Sequence, residues 1–367
     1  MPALSADELA WLATLDDVES RLVFTEQKGN RTLYRVEHGP FDEESLGALP
    51  PENWTLLVQD VEKHLPELRR YLLEASFIPD WRMDDLMVSF ASPGGSVGPH
   101  RDNYDVFLCQ GTGRREWRMA PVNASLKKIE SDGLSLLEPF ADSNPISAGN
   151  GDVFYLPPGI AHWGIATEAC ITYSIGMRAP QASEFDAAVA RLRDNAGTEI
   201  HDNDDRFYSD PELTVSEAEP GLISDRAIER ARSCFAAAAN LGDDDVAQLF
   251  GSVVTDVKAW LAPEAPSAAE VDAFLISSSG MSNIRVHGMA RLAFFYGEHE
   301  GIVFANGFSE TTSAPQLEIF RRLCANRVVQ GCEIQSAMKN VEASQLFRWL
   351  ISKGVFDLQS DGQNDAA

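Results

Sequence analysis

Between residues 84 and 180 the apolar positions fall in short runs broken by glycine, proline and asparagine. Leu86 to Phe90, His100 to Gln110, Arg114 to Ala120, Gly151 to Leu156 and Cys170 to Met177 are separated by such breaks. These include Pro93-Gly94-Gly95, Gly111-Thr112-Gly113 and Pro157-Pro158-Gly159. Runs of strand length between turn signals predict an antiparallel barrel or sandwich.

The flanks read differently. Before residue 80, helix-like and loop-like stretches alternate, and Leu56, Leu57, Val61, Leu65, Leu68 and Leu72 predict a helix over Trp54 to Leu73. After residue 184, Glu184 to Arg193 and Ser224 to Ala239 are alanine-rich and helical, joined by the acidic connector His201 to Pro220. Asp243-Asp244-Asp245 opens a helix expected to run to Trp260, its carboxylates at the N-terminal end of the dipole. Pro263 to Pro266 is a linker, and Ser267 an N-cap. The last stretch combines two strand-like runs, Ala290 to Tyr296 and Gly301 to Ala305, with two helices, Ala314 to Ala325 and Gln335 to Lys353. Helices around a small hairpin resemble a winged-helix module. The expected division is 1–183 catalytic barrel, 184–266 helical region, 267–358 winged-helix-like module and 359–367 polar tail.

Composition narrows the partners. The 367 residues are 44% hydrophobic, enough for more than one core. With 56 acidic against 30 basic residues the formal charge is −26, a field that repels a phosphate backbone and suits a basic protein. The five cysteines lack C-x-x-C spacing and read as reduced thiols of a cytoplasmic protein. Neither a signal peptide nor a membrane span is predicted.

The strongest chemical feature is Pro99-His100-Arg101-Asp102. On a strand, residues two apart share a face, so His100 and Asp102 can reach one ion. His162, after the strand end and turn Tyr155 to Gly159, can complete a two-histidine, one-carboxylate face with open positions, the pattern of non-haem iron(II) oxygenases. His38, His64, His201, His287 and His299 have no comparable surroundings. In Arg114-Arg115-Glu116-Trp117-Arg118-Met119, alternation places Arg115 with Trp117 and Met119 on the apolar face. A buried guanidinium requires an anion, and its planar fork suits a carboxylate. A dicarboxylate co-substrate would supply one; an internal Asp or Glu is the alternative.

Gly98 to Phe107, Gln110 to Trp117 and Gly151 to Gly159 together resemble the bacterial ribosomal oxygenases, JmjC-type protein hydroxylases. The resemblance implies an α+β chain: a double-stranded β-helix (cupin/JmjC) barrel, a helical dimerisation region and a C-terminal winged-helix module. It implies iron(II) on His100, Asp102 and His162, and 2-oxoglutarate on Arg115, with dioxygen as second co-substrate. Eukaryotic relatives usually carry lysine at the equivalent of Arg115 and hydroxylate histidine. The bacterial members hydroxylate the β-carbon of an arginine in large-subunit ribosomal protein sixteen. Arg115 and the Gly111-Thr112-Gly113-Arg114-Arg115 string place the chain with the latter.

Asp84, Asp85, Tyr104 and Asp105 are candidate contacts for a substrate guanidinium, and Met87 and Ser89 candidate pocket residues. Turn capping, solvation and core packing are the alternatives. A histidyl hydroxylase and a metal-free cupin-like binding protein remain as competing functions. A DNA-binding regulator is disfavoured, because the helix Ala314 to Ala325 has only Arg321 and Arg322 as basic residues. A homodimer is expected from the resemblance.

Overall fold

The computed structural model describes residues 4–29, 31–122, 124–129, 134–141, 144–192, 206–213, 219–235, 241–278, 281, 283–297 and 300–358. His201, His299, half of the acidic connector, the end of the Ser224 to Ala239 helix and the 359–367 tail lie outside them. The chain forms two compact units, Met1–Glu74 with Met83–Arg178, and Ala75–Arg82 with Ala179–Ala367.

The first unit opens with α1 (Ala6–Leu12), held at its start by a Ser5–Glu8 capping box. The hairpin β1 (Ser20–Lys28) and β2 (Arg31–His38) follows, then α2 (Glu43–Gly47) and β3 (Trp54–Val58). The helix expected over Trp54 to Leu73 is therefore a strand followed by α3 (Val61–His64), a 3-10 turn and α4 (Arg70–Leu73). A short run of apolar residues buried on both sides has no period that separates helix from strand. Pairing with β1 on one side and β4 (Met83–Ala91) on the other decides for the strand.

The remaining strands are β5 (Val106–Thr112), β6 (Arg115–Met119), β7 (Lys128–Ile129), β8 (Leu136–Leu137), β9 (Ile146–Ala148), β10 (Val153–Leu156), β11 (His162–Ala166) and β12 (Cys170–Met177). They form a seven-stranded antiparallel sheet ordered β10-β5-β12-β4-β3-β1-β2, a three-stranded sheet ordered β11-β6-β9, and the β7–β8 pair. The strand pattern expected over 84–180 is present, and the β1–β2 hairpin, which the sequence reading passed over, widens the larger sheet. One expected strand is shorter than predicted: of His100 to Gln110, only Val106 onward is extended and paired in the sheet.

The second unit holds α5 (Ala182–Leu192), α6 (Asp225–Cys234), α7 (Asp243–Thr255), α8 (Ala268–Ser277), β13 (Ile284–Arg285), β14 (Leu292–Tyr296), β15 (Gly301–Ala305), β16 (Phe308–Thr312), α9 (Ala314–Asn326), β17 (Val328–Val329), α10 (Gly331–Ala337) and α11 (Val341–Ser352). Ser267 caps α8 as expected. Helix α7 stops short of Trp260 because Asp256 is extended and the Thr255 hydroxyl turns back to the Gly251 carbonyl at 2.7 Å. The Gln335 to Lys353 stretch is two helices, since Asn340 caps a fresh start by accepting from the Ala343 N–H at 3.2 Å.

Two apolar cores share the β14–β15 hairpin. Ala293, Phe295, Ile302 and Phe304 face a core with Phe185, Phe235 and Phe250, while Leu292, Phe294, Val303 and Ala305 face one with Phe320, Phe347 and Leu350. The segment Ala75–Arg82 belongs to the first of these cores. Trp81 is edge-on to Tyr208 and Phe250, and the Arg82 guanidinium grips Asp210 through two 2.8 Å contacts. No described helix is long and apolar enough to cross a membrane.

Candidate metal and carboxylate site

His100 is brought beside His162 by the backbone. Each residue's N–H donates to the other's carbonyl at 3.0 Å, an isolated antiparallel bridge that sets the two imidazoles 4.3 Å apart. Asp102 follows in a loop, not on a strand, so the two-residue alternation expected for this pair is not what places it. Its own carbonyl accepts from the Gly159 N–H at 2.8 Å, which folds the loop back beneath the turn that precedes His162. Gly98 makes the bend into this segment at φ +84, and a Cβ there would come within 3.0 Å of Leu136 and Tyr34. Ser96 pins the same bend: its hydroxyl donates to the Gly164 carbonyl at 2.7 Å and accepts from the Gly98 N–H and the Trp163 indole at 3.0 Å.

The result is a three-ligand face. His100 Nε2 lies 3.8 Å from Asp102 Oδ1, and His162 Nε2 lies 3.5 Å from Asp102 Oδ2. Among the described residues these three are the group of His, Cys, Asp or Glu whose donor atoms converge, all within 4.8 Å of one another. Each imidazole is set for coordination from behind. His100 Nδ1 is 2.9 Å from the Gly98 carbonyl and His162 Nδ1 is 3.0 Å from the Ile160 carbonyl, so the proton sits on Nδ1 and the Nε2 lone pair points to the centre. Burial, reinforced by His100, lowers the His162 pKa to about 4 and keeps it neutral. Two neutral imidazoles and one carboxylate suit a divalent iron-type ion.

Arg115 lies on β6 in the same cavity. It is only 5% exposed, and alternation along β6 turns it inward with Trp117 as expected. Among the described residues its guanidinium has no carboxylate within ion-pair reach, and its buried Nε and Nη2 have no hydrogen-bond partner. Among the described residues that arrangement leaves no internal acid for Arg115 and one edge of the fork open to a two-point carboxylate. The β6–β11 register places Gly164 opposite Trp117, and the missing side chain lets the indole lie flat over β11.

The cavity has a volume of about 310 Å³ and lies between the two sheets, lined by the triad, Arg115 and Trp117 on one side. On the opposite wall β4 contributes Asp85, Met87 and Ser89, every second residue. Asp84 cannot join them, because it lies on the other face of the pleat, near Arg178 at 4.0 Å. Tyr104 lines the cavity, whereas Asp105 is outside it and accepts from the Tyr155 hydroxyl at 2.6 Å. Asp85 accepts from the Asp60 N–H at 3.2 Å. Burial, with Asp84, Asp60 and Glu62 nearby, holds its carboxyl well above the usual carboxylate range. The Tyr104 hydroxyl is likewise raised, by burial and by Asp102 and Asp85. Arg21, Leu57 and Gln59 also line the cavity, from strands that the sequence reading did not recognise as part of the barrel. Only the position of Arg21 on the same strand face as the apolar Val23, two residues on, could have hinted at an inward arginine.

Comparison with known proteins shows the family. The JmjC domain family matches residues 71–185. The chain is 32% identical over 356 residues to the Escherichia coli ribosomal protein uL16 3-hydroxylase, covering 96% of this chain and 89% of that protein. The chain belongs to the ribosomal oxygenase family. A probable ribosomal oxygenase of Haemophilus influenzae is 34% identical over 220 residues, 59% of this chain and 53% of that one. The crystal structure of the E. coli ribosomal oxygenase YcfD with cobalt and 2-oxoglutarate superposes with a TM-score of 0.66 at 31% identity, covering 97% of this chain and 91% of that chain. The fold of the ribosomal oxygenases is thus the JmjC/cupin-type, mixed α and β fold found here.

Proposed function

We propose that the protein is an iron(II)- and 2-oxoglutarate-dependent oxygenase that hydroxylates the β-carbon of an arginine in ribosomal protein uL16. The observation that carries this reading is the buried, partnerless fork of Arg115 in the same cavity as the His100–Asp102–His162 face. A ligand that chelates a metal at one end and presents a carboxylate at the other satisfies both, and 2-oxoglutarate does so. Bound iron with 2-oxoglutarate and dioxygen supplies the oxidising power, yielding succinate and carbon dioxide as one oxygen atom enters the substrate.

The chain's own residues hold and select. His100, Asp102 and His162 bind the ion from one side and leave the cavity side open. Arg115 fixes the far carboxylate of 2-oxoglutarate, and Trp117 closes the space around it. Asp85, raised in pKa while the cavity is empty, ionises against an arriving guanidinium, which offsets the cost of its burial. This buried acid favours arginine over histidine as the target. Met87, Ser89 and Tyr104 complete the wall that orients the side chain.

The finer architecture is part of the same proposal. Residues 184–266 form the dimerisation region, and 267–358 a winged-helix-like module that binds protein rather than DNA. The absence of free cations on α9 supports this. Arg321 is engaged by Glu219 and by Glu318 at 3.2 Å, and Arg322 by Glu333 at 3.5 Å. The net charge of −26 suits a basic substrate met in the cytoplasm, where ribosomal proteins are made.

The test is incubation of the full chain with iron(II), 2-oxoglutarate and purified uL16. Intact mass should rise by one oxygen atom, and fragmentation should place it on the β-carbon of an arginine. No added oxygen, with 2-oxoglutarate turnover also absent, overturns the reading.

A further inference from the structure

The position of the reacting carbon sets a demand on the cavity. If the oxidised atom is a β-carbon, it lies one bond from the main chain. The substrate backbone itself must then enter the cavity, unlike that of an enzyme acting at the tip of a long side chain. Peptide N–H and C=O groups brought in lose their water and need partners on the wall.

Two lining residues offer hydrogen-bonding atoms that no described residue uses. Arg21 on β1 has its Nε buried without a hydrogen bond, and Gln59, just past β3, has its Oε1 buried without one. No other hydrogen bond of the Gln59 side chain is found among the described residues, so its terminal amide can present both a donor and an acceptor. The two side chains belong together. Arg21 is opposite Leu57 in the β1–β3 ladder, and the Gln59 N–H donates to the Glu19 carbonyl at 2.9 Å. Gln59 and Arg21 are therefore diagonal neighbours on the cavity face of the sheet.

We infer that Arg21 and Gln59 form a main-chain recognition subsite for a peptide group next to the hydroxylated residue. The Arg21 Nε–H donates to a substrate carbonyl, and the Gln59 amide pairs with a substrate peptide group. Charge supports this division: a cationic Arg21 repels a substrate guanidinium but suits a neutral carbonyl, while Asp85 takes the side chain. The assignment rests on the peptide-hydroxylase reading above.

The experiment uses the iron(II)-loaded full chain and a synthetic peptide of the uL16 hydroxylation segment, with Arg21→Met and Gln59→Leu, which keep volume but remove the hydrogen bonds. Binding of manganese(II) and 2-oxoglutarate is measured first as the check of folding; should Arg21→Met fail it, Gln59→Leu and the ester peptide carry the test. Each variant should raise the peptide KM by roughly tenfold, the loss of about one charge-assisted or buried hydrogen bond, with 2-oxoglutarate affinity at the wild-type value. Replacing the peptide bond beside the target arginine by an ester should weaken binding to the wild type and cost nothing further in Gln59→Leu. An unmoved peptide KM in both variants, a loss that falls on 2-oxoglutarate affinity instead, or an ester penalty equal in wild type and Gln59→Leu each overturn the subsite. Wild-type protein that hydroxylates neither the peptide nor intact uL16 overturns the function reading and the subsite with it.

Discussion

Strands β6 and β15 are both five residues long and both central in three-stranded antiparallel sheets, yet they are built on opposite principles. In β15 every residue from Gly301 to Ala305 is buried, and both faces meet apolar side chains. In β6 the inward face carries Arg115 and Trp117, and three buried nitrogens between them have no partner among the described residues. A stable core does not leave such groups unpaired, because each costs about 1–3 kcal/mol. Strand β15 exists to hold the second unit together. Strand β6 gives up stability to keep a binding edge open, and that difference marks the site.

The comparison can be broken most severely at the metal face. Asp102→Ala or His162→Ala should lower 2-oxoglutarate turnover by on the order of a thousandfold or more, together with loss of metal binding by titration. A variant that keeps both shows that the triad is not the metal centre. Next in size is Phe304→Ala in β15, which should cost about 3–5 kcal/mol in denaturant unfolding, since the ring is fully buried and lies against Gly251. An effect below about 1 kcal/mol would mean that this core is far softer than its burial indicates.

Arg115→Met separates the two strands most sharply, because it should move stability and binding in opposite directions. The affinity for 2-oxoglutarate should fall by about a hundredfold, the loss of two charge-assisted hydrogen bonds. The melting temperature without ligand should rise, by the equivalent of about 1–4 kcal/mol, as an uncompensated buried cation is removed. A fall in stability would mean that Arg115 is structural. The same logic predicts that Asp85→Asn stabilises the free protein at neutral pH. A carboxyl whose folded pKa is raised contributes stability below its unfolded pKa, and that contribution is lost as pH rises through the folded value, so the wild type should lose stability there and the variant should not. Smallest is Ser96→Ala, which strips the Gly98 N–H and the Trp163 indole of their acceptor. It should cost about 1–3 kcal/mol and weaken metal binding by no more than about tenfold, read by thermal melts and metal titration.

Much of the site was legible because chemistry leaves residues that packing alone would not select. His100, Asp102 and His162 could be named from their types and the turn signals between them, and Arg115 from a charge on an apolar face. The contacts beyond them were harder. Asp84 and Asp85 look alike in sequence, but adjacent strand residues face opposite ways, and only the register of β4 tells which one enters the cavity. Arg21 and Gln59 were not legible because β1 and β3 lack a strand signature: Trp54 to Val58, apolar but for the buried Thr55, carries no period of its own.

The sequence alone determined the elements with strong local signals. These are the strand-and-turn rhythm of 84–180, the N-cap at Ser267, and the ligand types, because each depends on a few neighbouring residues. Tertiary structure alone decided three things: that β3 is a strand, that a reciprocal backbone bridge joins His100 to His162 while Asp102 follows in a loop rather than on a strand with His100, and that the Arg115 fork has no acid to meet among the described residues. All three depend on partners far away in the chain, and pairing, burial and the absence of a counter-charge are properties of space that no local pattern encodes.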